Sequence, residues 1–297
     1  MTPASPPHGG IPPRLRIALA ALLFSTGGAA IKFAHLNGWQ IACFRSGVAG
    51  LVLAAVLPNV RRGITWRSAA VAVAYAFTLV SFVLANRLTT SANTIYLQST
   101  SPFFMALLAP VLLKERLRRR DIPVLVAVLA GLLLVFSGVD QPSATAPDPA
   151  RGNIIALGSG LGYALLLCGL RWLGRDDNPH EAVGAVVMGN FLAFFATLPI
   201  ALPVVGAGTA DWLVIGYLGA FQIGLAYVLV TSGLAHVPAL ETALLLLVET
   251  ALNPCWTWLL LGEVPSAAAM VGGVVIIGAT IAQALLTARR PLRMEVA

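Results

Sequence analysis

Charged residues are scarce in this sequence of 297 residues. They make up 10% of the chain, whereas hydrophobic residues make up 58%, and the mean hydropathy is +0.85. Soluble globular proteins carry about 25% charged residues. The 19 basic and 12 acidic side chains cannot cover the surface of a soluble protein of 31.0 kDa. The composition therefore excludes a soluble protein and indicates an integral membrane protein.

Cysteine is also sparse, and nucleotide-binding motifs are missing. The chain has three cysteines, each alone in an apolar run: Cys43, Cys168 and Cys255. This spacing excludes a disulfide framework and a zinc site, and the histidines lack metal-ligand spacing, so we expect no metal and no cofactor. Because the sequence has no Gly-Lys pair, it has no P-loop, and we do not expect ATP-driven transport by this chain alone.

The excess of positive charge has an explanation other than nucleic-acid binding. The net charge is +7 and the isoelectric point is near 9.9. The basic residues lie in short segments between apolar runs, which is the pattern of membrane topology. We therefore expect a lipid bilayer as partner and no nucleic acid.

Ten apolar runs are long enough, at about 20 residues, to cross a bilayer as helices. They cover residues 17–34, 41–58, 68–86, 92–113, 122–139, 152–173, 181–203, 212–234, 239–261 and 267–287. Pro, Gly, Asn and Arg occupy the short connections, as expected at helix ends. The predicted fold class is an all-α integral membrane protein with ten transmembrane helices.

The positive-inside rule agrees with ten spans and places both termini in the cytoplasm. In that orientation, 15 of the 19 lysines and arginines lie on the cytoplasmic side. The other four lie at or near the outer ends: Lys32, Arg45, Arg87 and Arg151. The run Lys-Glu-Arg-Leu-Arg-Arg-Arg at residues 114–120 is the strongest cytoplasmic anchor.

The sequence contains an internal repeat. Residues 92–138 and 240–286 share a pattern at an offset of 148, and the starts of the halves align loosely. The equivalent pairs are Thr94 and Thr242, Ser101 and Glu249, Glu115 and Glu263, Phe24 and Tyr163, and Lys32 and Arg171. Because each repeat has five helices, the second must cross the membrane in the opposite sense. Inverted repeats suit alternating access, with a substrate site near mid-membrane at the repeat interface.

The repeats also predict the domain boundaries. Residues 1–16 form a cytoplasmic tail, 17–140 the first five-helix repeat, 141–151 a periplasmic connecting loop, 152–287 the second five-helix repeat, and 288–297 a second cytoplasmic tail.

These features together resemble the drug/metabolite transporter superfamily, EamA type. They are the ten spans in two repeats, Ala-Ala-Ile-Lys at the end of the first helix, Arg45 early in the second, and Leu-Lys-Glu-Arg-Leu at residues 113–117. The resemblance covers residues 16–286. Within the superfamily, the chain looks most similar to the bacterial aromatic amino acid exporters (YddG type). It implies an inner-membrane exporter of amino acids and related metabolites with an uncharged central cavity. Where many members have Glu-Pro in helix nine, this chain has Glu249-Thr250, with Pro254 four residues later.

Glu249 is the most informative candidate residue. It lies at position 11 of a predicted 23-residue helix, where a charge costs about 2.5–3.5 kcal/mol on insertion scales. The carboxyl group should therefore be protonated, paired or facing a wet cavity. It is either a proton carrier or partner of a substrate ammonium group, or a neutral side chain hydrogen-bonded between helices. Glu241, eight residues earlier, is expected to cap or gate the helix.

Two further helices carry candidate stripes. In helix four, a stripe at helical spacing comprises Thr94, Gln98 and Ser101, with Tyr96 beside it and Pro102 as a kink. Lipid cannot satisfy so many polar groups, so they line a cavity or bond between helices. In helix three, the stripe comprises Tyr75, Thr78 and Phe82, which contact either ligand or neighbouring helices.

The remaining candidates are scattered. Phe24 and Tyr163 occupy equivalent repeat positions, Gln222 and Tyr227 lie mid-helix eight, and Trp256 is a candidate outer gate on the Glu249 face of helix nine. Lys32 and Arg45, near the outer ends of helices one and two, are weaker candidates. Lys32 could meet a carboxylate, but we favour snorkelling to the membrane surface.

The predicted function is a secondary transporter that exports neutral zwitterionic amino acids, chiefly aromatic or hydrophobic ones, by alternating access. One alternative is a proton-coupled exporter of drugs or organic cations, with Glu249 as the counter-charge. A remote alternative is a membrane enzyme, which would need clustered His, Asp or Glu at one face. One chain with its own repeat can work as a monomer.

Overall fold

The computed structural model describes residues 11–57, 59–112, 119, 122–138, 141–174, 178, 180–234, 236–237 and 239–288. Most of the basic run at residues 114–120, Glu115 within it, and most of both predicted tails lie outside the described residues.

Within these ranges the chain forms ten helices in sequence. They are α1 (Pro13–Phe33), α2 (Gly38–Val56), α3 (Trp66–Leu88), α4 (Ser91–Leu112), α5 (Ile122–Ser137), α6 (Pro149–Leu173), α7 (Glu181–Ala201), α8 (Thr209–Gly233), α9 (Ala239–Leu261) and α10 (Ala267–Ala288). Seven are long and apolar enough to cross a membrane, and α5, α9 and α10 contain shorter apolar stretches. The predicted all-α fold with ten membrane helices is confirmed.

Polar residues at the helix starts set several boundaries. Asn37 and Gln40 form a capping box at the start of α2, and Thr65 and Ser68 form another at the start of α3. The Asp148 carboxylate accepts a bond from the first turn of α6. Each cap satisfies backbone N–H groups that the helix itself leaves unpaired.

The helices pack as two inverted halves. α1 packs against α8 and α9, while α6, its equivalent in the second half, packs against α3 and α4. α2 packs against α7, and α5 against α10, so these two contacts join equivalent helices. This exchange of neighbours is what a two-fold axis in the membrane plane produces.

Apolar side chains cover much of the outer surface. Among the exposed ones are Val73 on α3, Phe195 on α7, Leu213 on α8 and Val274 on α10. A soluble protein rarely exposes so many large apolar groups. A lipid bilayer accounts for them, because its hydrocarbon core is as apolar as these side chains.

Glycines let the backbones of α5 and α10 approach closely. A Cβ atom at Gly272 would lie 2.5 Å from the Gly131 carbonyl oxygen, and one at Gly131 would lie 2.8 Å from the Gly272 carbonyl oxygen. Neither backbone can move aside as a side chain could. Small residues at this contact therefore hold together equivalent helices of the two halves.

We expect Gly272→Ala to lower the free energy of unfolding by about 1–3 kcal/mol, because the added methyl group overpacks the contact. The measurement is thermal unfolding of the purified protein in detergent. The matched control is Gly278→Ala on the same helix, where an added Cβ has no atom within 4 Å. Equal melting temperatures for the two variants would contradict the prediction.

Candidate functional site: a central cavity

Three of the ten helices are interrupted near their middles. α1 consists of Pro13–Ser25 and Gly27–Phe33, and α4 of Ser91–Gln98 and Ser101–Leu112. In α8, the π-helix Leu218–Leu225 separates two α-helical segments. Interrupted helices and π-segments frequently mark functional sites, because they present backbone and side-chain polar groups that a regular helix would hide.

Hydroxyl groups satisfy the carbonyl oxygens at two of the breaks. At the first, the Ser25 hydroxyl donates to the Leu22 carbonyl and the Thr26 hydroxyl to the Leu23 carbonyl, both at 2.7 Å. At the second, the Thr100 hydroxyl donates to the Leu97 carbonyl at 2.6 Å. Pro102 has no N–H to bond the carbonyl four residues before it, which explains why α4 is interrupted near this point.

All three breaks face one cavity of about 400 Å³. Phe24 precedes the first break, Ser99 lies in the second, and Gln222 lies in the π-segment, and all three line the cavity. Its walls come from α1, α2, α3, α4, α6, α8, α9 and α10, so both halves contribute. The lining residues lie towards the middle of their helices, where the inverted repeat predicts the substrate site.

Most of the candidate residues meet at this cavity. Those that line it are Phe24, Tyr75, Thr78, Phe82, Gln98, Ser101, Tyr163, Gln222, Tyr227 and Glu249. Three rings form one edge-to-face cluster, since Tyr227 contacts Phe24 at 5.5 Å and Tyr75 at 5.8 Å between ring centroids. The cavity thus offers aromatic surface together with hydroxyl and amide groups.

The structure does not bring Thr94, Tyr96 or Trp256 to the cavity lining. The Thr94 hydroxyl donates to a carbonyl of its own helix, and Tyr96 packs on Gly273 of α10. The Trp256 indole N–H donates to the Ser25 hydroxyl at 2.9 Å, next to the break in α1. The α4 stripe divides because the helix is broken between Thr94 and Ser101, whereas the stripe assumed a continuous helix.

Repeat-equivalent residues occupy equivalent places. Phe24 and Tyr163 both line the cavity, as do Ser101 and Glu249. Thr94 and Thr242 are both buried away from it. The pseudo-two-fold axis of the repeat therefore runs through the cavity.

The expectation of an uncharged cavity is wrong, because Arg45 and Glu249 both line it. The Arg45 side chain is buried in the middle of α2, not near the outer end as the sequence suggested. The misplacement arose from the predicted start of α2 at residue 41, since the helix begins at Gly38. The position of this arginine inside an apolar run was the sequence signal that could have identified it as a cavity residue.

Comparisons with known proteins agree with this architecture. The model of the EamA-like transporter family matches residues 15–137 and 150–283. The chain belongs to the EamA-like transporter family. It is therefore a multi-pass membrane protein of a family of transporters.

Similar proteins extend the likeness along most of the chain. Pseudopaline exporters of two Pseudomonas aeruginosa strains are 27% identical over 281 residues, which cover 90% of this chain and 94% of theirs. An uncharacterised Pseudomonas aeruginosa protein is 31% identical over 285 residues, covering 89% of this chain and 93% of its own. A crystal structure aligns at a TM-score of 0.62 and 20% identity, covering 93% of this chain and 98% of the other, which supports the fold.

A buried ion pair lies at one end of α1. The Lys32 ammonium group lies 2.8 Å from the Glu263 carboxylate, and the side chains are 2% and 3% exposed. Lys32 also donates to the carbonyl oxygens of Thr89 and Thr145, while Glu263 accepts from the Ser91 backbone N–H at 2.6 Å. The expectation that Lys32 snorkels to the membrane surface is therefore wrong.

A second ion pair joins the other end of α1 to the start of α9. Arg14 at the start of α1 contacts Glu241 at the start of α9, with nitrogen–oxygen distances of 2.6 and 3.2 Å. The Arg14 side chain is 73% exposed and that of Glu241 is 35% exposed. Because its side chains are hydrated, the Arg14–Glu241 pair stabilises the fold less than the buried Lys32–Glu263 pair does.

We expect Lys32→Met to lower the free energy of unfolding by about 3–5 kcal/mol, since it leaves the Glu263 carboxylate buried and unpaired. The matched control is Arg14→Met, which should cost less than about 1 kcal/mol. Both are measured by denaturant unfolding in detergent. The double variant Lys32→Met/Glu263→Gln should recover part of the loss, and a double variant no more stable than Lys32→Met would refute the pairing.

Proposed function

We propose that this transporter exports neutral zwitterionic amino acids, chiefly aromatic or hydrophobic ones, and related metabolites across the bacterial inner membrane. It works by alternating access, with both termini in the cytoplasm. One chain holds both halves of the repeat and acts as a monomer. The central cavity is the substrate site.

The character of the cavity is the observation that carries this proposal. A volume of about 400 Å³ falls within the range of about 300–1,000 Å³ typical of small-molecule sites. The rings of Phe24, Tyr75 and Tyr227 provide an apolar surface for an aromatic or aliphatic side chain. The side chains of Gln98 and Gln222 provide polar groups for the amino acid's other end.

The relatives support export of a small metabolite. The similar proteins with a described function are pseudopaline exporters. Their likeness covers nine-tenths of this chain. The narrower assignment to amino acids rests on the cavity itself.

Alternating access is supported by the helix breaks and by the buried Lys32–Glu263 ion pair. The breaks in α1, α4 and α8 supply points at which half-helices can tilt without disturbing the remaining helices. The Lys32–Glu263 pair holds one end of α1, α4 and α9 together. Opening that end requires the pair to separate while the opposite end closes.

We expect proteoliposomes that contain the purified protein to release preloaded labelled phenylalanine with saturable kinetics, and threonine more slowly. Phe24→Ala should reduce phenylalanine efflux by about tenfold or more, because an aromatic contact in the site is lost. The matched control is Phe195→Ala, whose ring is 62% exposed on the outer surface. It should transport like the wild type.

Absence of flux for both amino acids would refute the amino acid assignment while leaving the fold unaffected. Equal loss of phenylalanine efflux in Phe24→Ala and Phe195→Ala would indicate general destabilisation and would refute the cavity as the site.

The second candidate is an exporter of organic cations coupled to protons. Glu249 lines the same cavity as the rings of Tyr163 and Tyr227, and aromatic faces with a carboxylate attract quaternary amines. No described base forms an ion pair with Glu249, so its charge is available to a ligand or a proton.

We expect Glu249→Gln to abolish transport that depends on an imposed pH gradient, because the amide cannot carry a proton. Efflux is compared with and without the gradient, for phenylalanine and for a labelled quaternary amine. Glu241→Gln on the same helix serves as the control and should keep the wild-type response. Unchanged gradient dependence in Glu249→Gln would exclude Glu249 as the coupling residue.

A further inference from the structure

Arg45 places a buried guanidinium group in the cavity wall. It is 2% exposed, lies in the middle of α2, and lines the cavity. A guanidinium group has five N–H donors. One of them donates to the Leu79 carbonyl at 3.0 Å, whereas the buried Nε has no partner.

No carboxylate neutralises this arginine. Among the residues that the structure describes, no acidic side chain lies within 4.0 Å of the guanidinium group. Lys32, by contrast, is paired with Glu263, and the half-buried Arg87 donates to three carbonyl oxygens where Arg45 donates to one. An unneutralised cation inside a membrane protein is costly and marks a ligand site.

A second buried polar atom at this cavity also lacks a partner. It is the side-chain carbonyl oxygen of Gln222, which lines the cavity with Arg45. Buried polar groups in proteins are nearly always hydrogen-bonded. The unpartnered atoms of Arg45 and Gln222 therefore leave hydrogen-bonding capacity that a polar ligand can fill.

Glu249 supplies a carboxyl group on a different helix, α9. It lines the cavity but forms no ion pair with Arg45, so the two side chains contact the cavity separately. A planar guanidinium group binds a carboxylate through two parallel hydrogen bonds. A carboxylate such as that of Glu249 binds an ammonium group.

We propose that the cavity binds both ends of a zwitterion, with Arg45 holding the substrate's carboxylate and Glu249 its ammonium group. This assignment rests on the proposed function, in which the cavity is the substrate site. It requires a substrate that carries both groups and places Arg45 as a specificity-determining residue. The aromatic cluster of Phe24, Tyr75 and Tyr227 then contacts the rest of the molecule.

The test is the binding of three ligands that share one ring, measured by calorimetry on the purified protein in lipid nanodiscs. The ligands are phenylalanine, 3-phenylpropanoate without the ammonium group, and phenethylamine without the carboxylate. In the wild type, phenylalanine should bind at least about tenfold more tightly than either analogue, since each charged contact is lost in one of them. Phenethylamine binding as tightly as phenylalanine would overturn the proposal without any variant being made.

The variants separate the two contacts. Arg45→Gln should weaken phenylalanine and 3-phenylpropanoate about tenfold or more and leave phenethylamine unchanged. Glu249→Gln should weaken phenylalanine and phenethylamine and leave 3-phenylpropanoate unchanged. Arg45→Lys should show an intermediate loss, because it keeps the charge without the planar fork. The control, Arg151→Gln at the exposed start of α6, should bind all three ligands normally.

The outcomes distinguish this assignment from the proposed function. Unchanged phenylalanine binding in folded Arg45→Gln would overturn the assignment while phenylalanine efflux could still stand. Binding of 3-phenylpropanoate that depends on Arg45, with no phenylalanine efflux, would support the carboxylate contact and refute the exported substrate. No binding of any of the three ligands would overturn the assignment.

Discussion

A bilayer offers no water to a polar group, and this constraint governs the whole molecule. Each backbone N–H and C=O inside the membrane must find a partner within the protein. Regular helices meet that requirement by themselves, which is why the described chain is almost entirely helical. Where α1 and α4 break, the hydroxyl groups of Ser25, Thr26 and Thr100 donate to carbonyl oxygens of the preceding turn. The breaks are therefore compensated features of the fold.

The same constraint separates structural charges from functional ones. Lys32 and Glu263 are buried together, and each has further bonds to backbone groups. Arg45 and Glu249 are placed in the cavity wall without such neutralisation. In our proposal, these two cavity side chains contact a ligand that brings its own charges.

The sequence predicted the fold well because its signals are strong and periodic. Apolar runs fixed ten spans, and every described end of a helix lies within four residues of its expected position. The offset of 148 between Ser101 and Glu249 correctly related two residues that now line one cavity. The equivalence of two repeat positions does not depend on the exact helix boundaries, so small errors in those boundaries leave it unchanged.

Local geometry was less predictable. The break in α8 leaves little trace in composition, since the π-segment Leu218–Leu225 reads as an ordinary apolar run. Thr94 and Ser101 share a helical stripe in the sequence, but in the structure they lie in two helical segments separated by the break. For Lys32, snorkelling was the general expectation, and the partner that overrode it lies 231 residues away in the chain, beyond the reach of any local pattern.

The ion pairs at the two ends of α1 differ in one more way. Arg14 and Glu241 meet at the exposed end of this helix, whereas Lys32 and Glu263 meet inside the protein at the other. Dissolved ions screen exposed charges over about 8 Å at physiological ionic strength, and they hardly reach a dry pair. The salt content of the medium therefore acts on one end of this helix and leaves the other unaffected, so the two faces of the transporter respond unequally to the solutions they contact.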